Sequence, residues 1–147
     1  MSATNSNTVL YATRGARYPV INIASGTAAN TISLLATADP TYGSIITDIL
    51  FRSADATARV FDIIMCATGS QATPENARVA ITIALSSGNN GTTPKASFAA
   101  IAPAQFDIDL AGNRVISLEA GQSIYVKNLS LTTGAIFVEA KIRDYAP

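Results

Sequence analysis

The sequence predicts an all-β protein, an antiparallel β-sandwich or jelly roll with an extended N-terminal arm. Three observations predict it. Val79, Ile81, Ile83 and Leu85 recur at every second residue, as do Ile136, Val138, Ala140 and Ile142, and this is the period of a half-buried strand. Short β-type runs follow one another along the chain, punctuated by Gly, Pro, Asn and Asp. No window of about 11 residues sustains the 3.6-residue period of an amphipathic helix.

Residues 1–17, MSATNSNTVLYATRGAR, are small and polar with isolated apolar points, and read as an arm without the periodicity to fold by itself. The sandwich is expected over 18–147. Its strands are read at YPVINIA (18–24), NTISLLA (30–36), SIITDILFRS (44–53) and, after the polar turn ADAT, ARVFDIIMCA (58–67). ARVAITIALSS (77–87) follows and ends at the loop GNNGTTP (88–94), rich in residues that accept positive φ. PKASFAAIAPAQF (94–106) is the best helix candidate, held to about two turns by Pro103. QFDIDL (105–110) and RVISL (114–118) flank Ala111-Gly112-Asn113, a hairpin signal.

LEAGQSIYVKNLSLTTGAIFVEAKIRDY (118–145) reads as two strands joined at Thr132-Thr133-Gly134. In the first, Ile124 and Val126 alternate with Tyr125 and Lys127, and a bulge is expected to bring Leu129 and Leu131 into phase. In the second, Ile136, Val138, Ala140 and Ile142 face one way, with Phe137, Glu139, Lys141 and Arg143 facing the other. A one-residue slip would turn all four apolar side chains to water.

A chain of 147 residues fits one domain and can bury a core without a disulfide or a metal. Only 14% of residues are charged, against about 25% in a typical protein. A surface of that kind suits packing against other subunits. Ten basic and ten acidic residues cancel, leaving no global field to gather nucleic acid or anionic lipid. The N-terminus lacks a signal-peptide pattern and no apolar run reaches the 18 or so residues of a membrane helix, so synthesis in the cytoplasm and no membrane partner are expected.

Histidine is absent, which removes Ser-His-Asp and Cys-His machinery and ordinary zinc sites. No catalytic residue, cofactor or metal ligand is therefore assigned. Asp107-Ile108-Asp109 is the closest carboxylate pair, and it starts like a calcium loop with Gly112 at the sixth place. Ala111 at the fifth place and Leu118 at the twelfth break that pattern, so both aspartates are read as solvated strand residues. Cys66, the single cysteine, lies in the apolar run 63–66 and is read as a buried small hydrophobe. Leu10, Tyr11, Arg14, Arg17 and Tyr18 have the residue types of a protein contact site and are assigned as the arm's partner contacts.

IITDILFRSADATARVFDIIM (45–65), VISLEAGQSIYVKN (115–128) and GAIFVEAKIRDY (134–145) together resemble the small β-sandwich structural proteins of tailed-bacteriophage virions. Head decoration (cement) proteins and some tail or baseplate subunits belong to that group. The resemblance implies a non-enzymatic virion protein that binds the major capsid protein, stabilises the head and forms a homo-oligomer, with a trimer as the candidate state. The alternative it leaves open is a tail or baseplate subunit with a receptor- or carbohydrate-binding role, for which Tyr125 is the candidate stacking residue.

Overall fold

A strand that alternates cleanly in the sequence lies inside the larger sheet, paired along both edges. In the computed structural model, which describes residues 13–72, 78–83, 96–101 and 103–145, this strand is Ile136–Tyr145. Numbered along the chain, the strands are β1 (Thr13–Arg17), β2 (Val20–Ile23), β3 (Ile32–Thr37), β4 (Ser44–Ser53), β5 (Arg59–Ala67), β6 (Arg78–Ile83) and β7 (Ala96–Ser97). They continue as β8 (Asp107–Ile108), β9 (Arg114–Leu118), β10 (Gln122–Asn128) and β11 (Ile136–Tyr145). One short helix, α1 (Phe98–Ile101), and a 3-10 turn (Pro103–Gln105) lie between β7 and β8.

Two antiparallel sheets face each other, as the sequence predicts. The larger has the order β1-β11-β4-β9-β8, with β2 also on β11 and β7 also on β4. The smaller is β3-β10-β5-β6. β1 and β2 divide one edge of β11 between them: β1 takes Ile142, Arg143 and Tyr145, and β2 takes Ile136–Glu139. Between them, the Ala140 N–H donates to the Pro19 carbonyl at 3.0 Å. Among the described residues the paired sheet starts at Thr13, because 13–17 pairs with β11 of its own chain.

The core lies between the sheets. Ile46, Ile49, Phe51, Ile136, Val138, Ala140 and Ile142 contribute from the larger sheet; Phe61, Ile63, Ile124 and Val126 close it from the smaller. All are fully buried. Phe51 and Phe61 meet across the gap with ring centroids 5.5 Å apart in a tilted arrangement. Ile46 and Ile49 are three residues apart, which a plain strand would place on opposite faces. A bulge reconciles them: Ile142 pairs with Ile46 and Lys141 with Asp48, leaving Thr47 unmatched.

One sequence expectation changes. Leu129 and Leu131 do not extend the preceding strand through a bulge; β10 ends at Asn128 and Leu131 is exposed. The register shift in β10 lies instead at Ile124/Tyr125, against β3, where Leu35 is the extra residue. Val79, Ile81 and Ile83 of the 79–85 alternation fall on β6 and pair in register with Ile63, Phe61 and Arg59, and Leu85 lies outside the described residues. The expected burial of Ile81 and Ile83 lies outside the described residues.

The packing makes a direct prediction. Ile124→Ala should cost about 2–5 kcal/mol in urea unfolding, through lost transfer energy and the cavity left behind. Val20→Ala, at a half-exposed position on the same sandwich, should stay within about 0.5 kcal/mol.

Candidate functional site

The charged side chains that the fold brings together sit where the chain crosses between sheets. Residues 54–58 carry it from β4 to β5, and residues 129–135 carry it back from β10 to β11 at the same end. Asp55, fully buried in its side chain, joins the two crossings. Its Oδ2 accepts from Arg59 Nε at 2.7 Å and from the Thr133 N–H at 2.7 Å. Its Oδ1 accepts from Thr133 Oγ1 at 2.9 Å, the Thr57 N–H at 2.9 Å and Arg59 Nη2 at 3.2 Å. The backbones are close as well: the Ala54 N–H donates to Ala135 O at 2.8 Å, and a Cβ on Gly134 would lie 2.5 Å from Ala54 O.

Burial by itself would raise the Asp55 pKa. The Arg59 guanidinium and the donors from Thr133 and Thr57 overcome it and hold the carboxyl well below the usual carboxylate range.

A second, more exposed clasp closes the other end of β4 and β11. Arg17 donates from Nε to Asp144 Oδ2 at 2.9 Å and from Nη2 to Oδ1 at 2.8 Å. The same Nη2 reaches the Thr37 carbonyl of β3 at 2.6 Å, so the guanidinium spans both sheets. Ser44 Oγ donates to Asp144 Oδ1 at 2.6 Å. Gly43, at φ +79°, lets this corner turn; a Cβ there would run into Leu118 O.

Of the assigned contact residues, only Arg17 and Tyr18 have described side chains. Leu10 and Tyr11 lie outside the described residues, and Arg14 is placed only as part of β1. Arg17 is committed within its own chain. Tyr18 stands exposed at the break between β1 and β2. Tyr125 offers no stacking face: it is 5% exposed, and its hydroxyl accepts from the Gly69 N–H at 3.0 Å. Cys66 is buried with Ile64 and Tyr125 in a small second cluster, and burial pushes its thiol pKa up, away from the reactive thiolate.

Asp109 leaves the strand and organises the β8–β9 turn. Its Oδ1 accepts from the Ala111 and Asn113 N–H groups at 2.9 and 2.8 Å, and its Oδ2 from Asn113 Nδ2 at 3.3 Å. The Asn113 backbone donor, with the others, lowers its pKa. Asp107 stays on β8 and exposed, so the two carboxylates do not act as a pair. Among the described residues no three Cys, Asp or Glu side chains gather as a metal site, and no helix is long and apolar enough to cross a membrane.

Sequence reasoning missed the Asp55 hub and one cap. Asp48, turned by the Thr47 bulge, accepts from Ser97 Oγ at 2.7 Å and from the Ala99 N–H at 3.0 Å, fixing the start of α1. Asp55 and Arg59 do carry a local signal, an acid and a base four residues apart in the turn SADATAR. Thr133 carries none.

No family model and no curated protein matches the sequence. Among solved structures the chain is similar to one in the cyanophage Pam1 capsid asymmetric unit, at 11% identity and a TM-score of 0.40, with 98% of this chain and 99% of that chain covered.

The hub predicts a stability loss and a pH dependence. Asp55→Ala should cost about 3 kcal/mol at neutral pH, since it leaves a largely buried guanidinium without its carboxylate. The folded-state pKa of Asp55 lies below its unfolded value of about 3.9, so the contribution is fully present above that pH and is lost as pH falls toward the folded value. The stability gap between the wild type and Asp55→Asn should therefore narrow between pH 7 and pH 3 in parallel urea titrations.

Proposed function

We propose that the chain is a non-enzymatic structural protein of a virion, and specifically a capsid decoration protein that binds the major capsid protein and stabilises the head. The observation that carries this reading is how the chain uses its charge. Asp55, Arg59, Arg17, Asp144, Asp48 and Asp109 all serve corners, turns and a helix start. In a protein with so few charged residues, that spending is suited to a rigid block and leaves few groups for chemistry.

The strand orders support the same reading. With β2-β11-β4-β9 facing β3-β10-β5-β6, we read the sandwich as a jelly roll, an architecture shared by viral capsid and lectin domains. The segments that resemble phage structural proteins, 45–65, 115–128 and 134–145, cover β4, β5, β10 and β11, the strands that meet at the Asp55 hub. The protein on this reading acts as a homo-oligomer on the head surface, without cofactor, membrane or direct nucleic-acid contact. Residues 1–12, with Leu10 and Tyr11, are its clamp on the capsid, and Tyr18 adds to the contact.

Purified protein should co-sediment saturably with phage heads that lack it, and should raise their resistance to heat. Binding to tails alone would overturn the decoration role in favour of the tail or baseplate reading. Deleting residues 2–12 should leave the circular dichroism unchanged and weaken head binding; unchanged affinity would remove the arm from the mechanism.

A further inference from the structure

β3 is an edge of the smaller sheet, paired only with β10. The other edge strands carry charge or are cut short, and both features discourage pairing with another chain. β1 carries Arg14 and Arg17, and β6 begins with Arg78. β7 and β8 have two residues each, and β2 has four. β3, ISLLAT, has six residues with neither charge nor proline. Its register shows which backbone groups face outward. The Asn128 N–H donates to Thr31 O at 3.1 Å, and Ile32, Ser33 and Leu34 follow opposite Lys127, Val126 and Tyr125. Antiparallel pairing alternates, so Thr31 and Ser33 bond to β10 while the N–H and C=O of Ile32 and Leu34 point to the open side. Beyond the bulge at Leu35, the Thr37 carbonyl is taken by Arg17. The unpaired stretch is therefore Ile32–Leu34.

The side chains of this stretch continue an apolar row. On the outer face of the smaller sheet, Leu34, Tyr125 and Ile64 lie side by side on β3, β10 and β5. Tyr125 and Ile64 are buried and Ile32 packs against their cluster, while Leu34 ends the row 48% exposed. We propose that β3 pairs antiparallel with β3 of a second copy, across a two-fold axis at Ser33. Ile32 and Leu34 are two residues apart, so this register sets Ile32 opposite Leu34 of the second copy, and Leu34 opposite Ile32 of the second copy. Every outward N–H of the stretch then meets an outward C=O, which makes the edge complementary to itself. The same register packs Leu34 against the isoleucine opposite it and joins the two outer-face clusters into one. The pairing rests on the reading that the chain self-associates and names the surface; it does not require a capsid.

Sedimentation of the full chain over a range of concentrations tests it. The wild type should associate. Leu34→Pro removes an N–H that β10 does not use, and Leu34→Lys puts a charge on the edge. Each should weaken association roughly tenfold or more and leave the circular dichroism unchanged. Ser33→Cys tests the axis itself, because directly opposed residues of a non-hydrogen-bonded pair have Cα atoms about 4.5 Å apart, within disulfide range. Mild oxidation of Ser33→Cys should give a covalent dimer, and Ser117→Cys, exposed on β9, should not. A wild type that stays monomeric would overturn the pairing and self-association together. Association unchanged in Leu34→Lys, or no more covalent dimer from Ser33→Cys than from Ser117→Cys, would overturn this surface while leaving the oligomer reading standing.

Discussion

One buried ion pair ties together the two places where the chain changes sheets at one end of the sandwich. Asp55 sits in the β4–β5 crossing and takes two of its five bonds from Thr133 in the β10–β11 crossing. A crossing must turn its backbone away from both ladders, which leaves polar groups to be satisfied inside the protein. The carboxylate does this for both loops at once. Replacing such a pair by apolar groups can raise stability, so its value here lies in setting geometry. Once the two crossings are fixed, the register of β4 against β11 follows from Ile136 opposite Ser53 to Lys141 opposite Asp48, where the Thr47 bulge shifts it.

The far end of that strand pair is closed differently. The Arg17 side chain is 40% exposed, so the Coulomb part of its pairing with Asp144 is worth about 1 kcal/mol or less. Its structural effect is larger than that figure suggests, because the same guanidinium holds the Thr37 carbonyl at the end of β3 and joins the two sheets. Between the clasps, the Thr47 bulge keeps Ile46 and Ile49 both in the core and turns Asp48 toward α1. Phe98 of that helix is fully buried and meets Phe106 in a tilted arrangement at 5.3 Å, which seals the side of the core next to β4.

Period-two alternation was readable wherever a strand has one wet face. Ile136, Val138, Ala140 and Ile142 are all fully buried, as their spacing requires. Alternation fails where both faces are covered: Ile124, Tyr125 and Val126 are consecutive and buried, because Tyr125 packs on Ile64 and Cys66 outside the sandwich while its neighbours face inward. It also fails at bulges, since nothing local marks Thr47 as the unmatched residue. Asp109 was read as a strand residue because its position fits the alternation; Gly112 and Asn113 give the turn a stronger claim on its carboxylate. The Asp55–Thr133 contact spans 78 residues and is set by tertiary packing alone. The Arg17–Asp144 pair, 127 residues apart, is hidden from the sequence for the same reason.

Native-state amide hydrogen exchange tests the clasped frame most directly. The Thr133 and Ala54 amides at the hub and the Phe51, Val138 and Ala140 amides of β4 and β11 should share one opening free energy, equal to that of global unfolding, with the β8–β9 hairpin opening far more easily. Hub amides that exchange at the hairpin's rate while β4 and β11 stay protected would contradict it.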